Sequence, residues 1–105
     1  MILIIGGAGS GKGEYARSLG YAENEMVLNV HELIFANPDS AKILLEPLAA
    51  KAVVTCDEVG SGVIPVKRSE REAREATGRL CVWLAKRADK VIRMVAGIPI
   101  TIKGE

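Results

Sequence analysis

Aromatic side chains are scarce: one Trp, two Tyr and one Phe in 105 residues. With 49% of residues hydrophobic, the core must come from Ile, Val, Leu and Ala. Charge of one sign is also lacking. Fourteen basic residues face thirteen acidic ones, for a net charge of +1. Nothing in that balance points to nucleic acid or to an anionic membrane as a partner. The two cysteines, Cys56 and Cys81, lack metal-ligand spacing and read as small core residues. Long apolar runs are absent as well. Met1 to Ile5 is too short to span a bilayer and lacks the basic start of a signal peptide. The expectation is a cytoplasmic protein with one domain over residues 1–105. A core this small makes subunit association a natural way to bury more surface.

What is present reads as alternating strands and helices. Ile2 to Ile5 is a branched apolar run ending in glycines, as in a buried parallel strand feeding a turn. A helix is expected from Gly11 to about Leu19, stopped by Gly20. Met26 to Val30 reads as a second strand and Glu32 to Ala36 as a short helix before Pro38. Ser40 to Ala50 has helical spacing, with Ile43, Leu44 and Leu48 on one face. Pro47 inside it is expected to kink or split the helix. Ala52 to Cys56 reads as a third strand. Asp57 to Pro65 is rich in glycine and has no period. Ser69 and Glu72 then have capping-box spacing, and a long helix is expected to about Ala88 through Gly78. Val91 to Val95 and Ile98 to Ile102 read as strands paired across Gly97. The implied fold is α/β of the phosphate-loop nucleotide-binding type: a mostly parallel sheet with helices on both faces.

The strongest chemical signal is Gly6-Gly7-Ala8-Gly9-Ser10-Gly11-Lys12, placed between a strand and a helix. Glycines let the backbone curl so that its N–H groups converge on an anion. The helix N-terminus behind adds a favourable dipole, and Lys12 can reach the β and γ phosphates. ATP or GTP is the expected ligand, bound by Gly6 to Gly13 with Lys12 as the catalytic cation. One position departs from the pattern. After the lysine, a Ser or Thr hydroxyl ordinarily binds magnesium, but here stands Gly13. Nucleotide can still bind, while the metal loses a direct ligand.

Three blocks together resemble the adenosylcobinamide kinase / adenosylcobinamide-phosphate guanylyltransferase family of cobalamin biosynthesis. They are Gly6-Gly7-Ala8 with Ser10-Gly11-Lys12, then Asp57-Glu58-Val59-Gly60-Ser61-Gly62-Val63-Ile64-Pro65, then Ala76 to Lys103. The last contains Gly78-Arg79-Leu80, Ala88-Asp89-Lys90-Val91 and Val95-Ala96-Gly97-Ile98-Pro99. The resemblance implies phosphoryl transfer from ATP or GTP to a hydroxyl on a corrinoid side chain, and a homo-oligomer. The family also carries a guanylylated histidine soon after the phosphate loop. Only Gly20 to Glu25 separate the first helix from the second strand here, so that segment is missing and guanylyl transfer is not expected. Asn29 stands where the family has an Asp that would help hold magnesium. With Gly13, it weakens the metal site, and no residue is assigned as a metal ligand. The other reading is a nucleotide-sensing or partner-binding module that has lost catalysis.

The remaining candidates carry two readings each. Glu58 reads equally as the second catalytic residue, a base-like or metal-associated carboxylate, and as a group stabilising its own loop. His31 lies after the second strand, where a lone histidine is more often structural than catalytic. Trp83 fits the apolar face of its helix. Arg68, Arg71, Arg74 and Arg79 could reach phosphates across an interface. The plainer reading is a solvated face with Glu70–Arg74 and Glu75–Arg79 pairs.

Overall fold

The computed structural model describes residues 1–58 and 67–104. The Val59 to Pro65 part of the glycine-rich block therefore lies outside the described residues. Strands β1 (Ile2–Gly6), β2 (Met26–Val27), β3 (Val53–Asp57), β4 (Lys90–Val95) and β5 (Ile98–Lys103) form one sheet in the order β2-β3-β1-β4-β5. Only β5 runs antiparallel. The helices are α1 (Lys12–Ser18), α2 (Val30–Ala36), α3 (Ala41–Ala49) and α4 (Arg68–Arg87), with 3-10 turns at Glu23–Glu25 and Pro38–Ser40.

Alternation along β1 builds two cores, because successive side chains point to opposite faces. Leu3 pairs with Val54 and Val91, and all three pack under α2, α3 and α4 with Val30, Ile34, Leu48, Leu80 and Leu84. Ile4 faces the other way and packs with Val53, Ile92 and Met94 against Ala16 of α1. The crossover rule explains this division. From β1 the chain moves to one side through α1, then returns through α2 and α3 and crosses β1 through α4. Right-handed crossovers in opposite directions place their helices on opposite faces. Among the described residues the covering is unequal: three helices on one face, one on the other, and all six β5 residues exposed. No helix among the described residues is long and apolar enough to cross a membrane.

The structure corrects several local expectations. Strand β2 stops at Val27 rather than Val30, because Asn29 adopts a left-handed conformation (φ 59°, ψ 51°) that no strand can continue. Helix α2 accordingly begins at Val30. Helix α3 runs through Pro47 without splitting. The proline removes one rung, to the Ile43 carbonyl, and Ile43 is 75% exposed, so water is at hand. Ile43 thus leaves the predicted apolar face, which is carried by Ala41 and Leu48 with Leu44 packed beside them. The capping box does not form. Helix α4 starts at Arg68, and Glu72 receives the Arg68 Nε–H at 3.0 Å instead. Among the described residues, the pairs Glu70–Arg74 and Glu75–Arg79 are not made; Arg87 instead ties α4 to Glu46 of α3 at 2.7 Å. Cys56 is buried, as expected, with its sulfur 3.2 Å from that of Cys81. The hydrogen bond shared with Cys81, and then burial, push the Cys56 thiol well above its ordinary value.

Candidate functional site

Adjacent strands β1 and β3 send their chains to opposite faces, and such a switch point leaves a crevice beyond the strand ends. A cavity of about 610 Å³ opens there. It is lined by the loop from Ala8 to Gly13, by Leu28, Asn29 and His31 beyond β2, and by Asp57 at the end of β3. The glycine-rich loop takes the shape its composition suggests. Gly9 and Gly11 have φ of +72° and +92°, where a side chain is strained. Lys12 starts α1 yet is only 6% exposed, because its side chain folds back over the loop. Its Nζ donates to the Gly7 carbonyl at 2.8 Å and lies 2.6 Å from Asp57 Oδ1.

Asp57 is held from a second side. Its backbone N–H donates to His31 Nδ1 at 3.0 Å, and His31 Nε2 lies 3.3 Å from Asp57 Oδ2. With Nδ1 accepting, the ring proton belongs on Nε2, facing the carboxylate. The lone histidine therefore sits in the cavity wall and positions Asp57. Asn29 lines the cavity too, and its backbone N–H donates to the buried Thr55 Oγ at 2.8 Å.

Glu58 lies elsewhere. Its backbone N–H bonds the Gly6 carbonyl at 2.8 Å, but its carboxylate turns to Arg93 of β4, with oxygens 2.6 and 3.2 Å from the guanidinium. That contact raises the Arg93 pKa above its ordinary value. Glu58 does not line the cavity, whereas its neighbour Asp57 does. In the sequence Asp57 stands out only as the head of the glycine-rich block. Its signal was the uncharged run of β3, which buries Val53 to Cys56 and leaves Asp57 as the first charged residue at the strand's end.

Gly97 does more than join two strands. Ala96 and Gly97 both have positive φ (49° and 80°) and join β4 to β5 in a two-residue turn. The Gly97 N–H donates to the Ser10 carbonyl at 2.9 Å, and its Cα would lie 3.4 Å from a Cβ on Gly11. The hairpin turn thus braces the glycine-rich loop. Ser10 itself is 9% exposed, and its hydroxyl, turned toward Gly6, has no partner among the described residues. A buried hydroxyl without a partner costs stability, so Ser10→Ala is expected to be neutral or stabilising by up to about 1 kcal/mol. Thermal melting checks this; a clear loss of stability would mean that the hydroxyl is bonded.

The profile of the cobinamide kinase / cobinamide phosphate guanyltransferase family matches residues 24–102. The chain belongs to this family. The match contains β2 to β4, nearly all of β5 and all helices but α1; it begins after the glycine-rich loop. The bifunctional adenosylcobalamin biosynthesis protein CobU of Salmonella typhimurium is 43% identical over 54 residues, 51% of this chain and 30% of that protein. CobU of Escherichia coli is 41% identical over the same length. The bifunctional adenosylcobalamin biosynthesis protein CobP of Pseudomonas aeruginosa is 33% identical over 61 residues, 58% of this chain and 35% of that protein. The matched stretch is thus about a third of each relative. The family likeness agrees with the resemblance read from the blocks around Asp57 and Gly97.

Proposed function

We propose that this chain is a nucleotide-binding α/β unit of phosphate-loop type that serves phosphoryl transfer from ATP or GTP to a corrinoid side-chain hydroxyl. The observation carrying this reading is Lys12, folded over the Gly7 carbonyl and against Asp57 in a cavity at the strand ends. The loop from Gly6 to Gly13 would wrap the phosphates with backbone N–H groups. Lys12 would exchange its Asp57 partner for phosphate oxygens and offset the charge that builds up on the transferring group. Asp57, fixed by His31, is the cavity carboxylate that engages Lys12. Glu58 could orient the acceptor hydroxyl only after releasing Arg93.

Magnesium fits here as an ion that arrives on the phosphates. Among the described residues no cluster of three or more His, Cys, Asp or Glu forms a cage. One or two carboxylates plus phosphate oxygens suffice for this ion, and Asp57 supplies one. Bound there, magnesium would neutralise phosphate charge. Gly13 contributes no side-chain oxygen and Asn29 no charge.

A second reading is a nucleotide-sensing module without turnover, favoured by Gly13 and Asn29. Calorimetric titration of ATP and GTP, with magnesium or with EDTA, followed by a turnover assay with cobinamide, separates the two. Micromolar binding with transfer supports the kinase reading. Micromolar binding that ignores magnesium, without transfer, supports the module. Absence of binding by either nucleotide overturns both.

A further inference from the structure

Gly13 and Arg17 lie one turn apart on α1. Residues four apart share a helix face, and side chains lean back toward the N-terminus. Arg17 accordingly reaches back over Gly13. Its Nη1 would lie only 3.2 Å from a Cβ built on Gly13, tighter than ordinary contact. A serine or threonine at position 13 would press on the guanidinium, which would have to shift by a few tenths of an ångström. The bare backbone of Gly13 leaves that space to Arg17.

Arg17 also lines the cavity, and the charges there make it decisive. The charged lining residues are Lys12 and Arg17 against Glu14, Glu32 and Asp57. Lys12 is already engaged by Asp57. Among the described residues, Arg17 makes no ion pair, so it is the one cavity cation left uncommitted. Without it, an entering polyphosphate would meet one cation and three carboxylates. A guanidinium presents a planar fork of N–H donors that matches two phosphate oxygens at once.

We propose that Arg17 contacts the phosphates of the bound nucleotide, and that Gly13 is the residue that makes room for it. In this reading a guanidinium one turn further along the helix stands in for a hydroxyl that helps hold a metal ion. This proposal rests on the nucleotide reading above and names a residue that decides how strongly that site depends on magnesium.

The test is calorimetry with ATP and GTP, in magnesium and in EDTA, on the wild type and a set of variants. Arg17→Ala is expected to weaken binding about tenfold or more in both conditions. Arg17→Lys keeps the charge but not the fork, and should fall between. Lys42→Ala removes a cation that does not line this cavity and should bind as the wild type does. Gly13→Ser should lose affinity in EDTA and gain a larger response to magnesium. Arg17 is exposed, so Arg17→Ala should melt like the wild type. The proposal is overturned if Arg17→Ala binds normally while Lys12→Ala does not, or if Lys42→Ala is as damaging as Arg17→Ala. Wild-type binding in EDTA retained by Gly13→Ser would overturn the claim about room. Failure of the wild type to bind any nucleotide would remove the nucleotide reading itself, and this proposal with it.

Discussion

Lys12→Ala is expected to lower the affinity for ATP or GTP by roughly a hundredfold, since hydrogen bonds to charged groups contribute about 1.5–3 kcal/mol. Two losses combine. The ammonium no longer meets the phosphates, and Asp57, now without its 2.6 Å partner, presents an uncompensated carboxylate to them. The second loss can be isolated. Asp57→Asn in the Lys12→Ala background removes the repulsion and should recover part of the affinity, so the two substitutions are not additive. The fold should survive. Asp57 is 24% exposed and keeps its backbone bond to His31, and alanine suits the start of a helix. Calorimetry measures the affinity and circular dichroism the melting. Normal binding by Lys12→Ala would mean that this loop is not where nucleotide goes, and the proposed function would fall with it.

Much of this was legible in the sequence, because it rests on local rules. The glycines at positions 9 and 11 announce positive φ, and the apolar run of β1 announces a central strand. Long periodic α4 was readable within a residue or two. What was not legible depends on contacts distant in sequence. Nothing in the string places His31 against Asp57, 26 residues away, or brings Gly97 onto the Ser10 carbonyl. Those contacts follow from the strand order, which sequence periodicity does not specify. Glu58 is the instructive case. A carboxylate beside a glycine-rich stretch at a strand end invites a chemical role. One position along a strand, however, decides which face a side chain takes. Asp57 therefore turns to the cavity and Glu58 to Arg93. The short β2 was misread for a different reason. Val30 is as good a strand residue as Val27, and only the left-handed turn at Asn29 separates them.

Gly6→Ala is expected to be the most damaging of the single-methyl additions in the loop, and it tests how the loop is anchored. Gly6 ends β1, the central strand, and pairs with Asp57 on one side and Met94 on the other. A Cβ there would stand 2.6 Å from Ser10 Oγ and 2.7 Å from the Met94 carbonyl oxygen. The serine hydroxyl can turn away. The carbonyl belongs to β4 and cannot move without disturbing the sheet. Overpacking of this kind costs about 1–3 kcal/mol. A loss near 2 kcal/mol would lower the melting temperature by roughly 8–15 °C in a domain of this size. Gly7→Ala is the natural control. A Cβ on Gly7 would meet nothing within 4 Å, and its φ is not among the positive ones. Its melting temperature should stay within a few degrees of the wild type, while Gly9→Ala and Gly11→Ala each lose about 1 kcal/mol to left-handed strain. The order Gly6, then Gly9 and Gly11, then Gly7 is what thermal melting should return. A Gly6→Ala variant as stable as Gly7→Ala would mean that β1 and β4 do not approach as closely as the structure has them. The brace from Gly97 to Ser10 would then lose its footing as well.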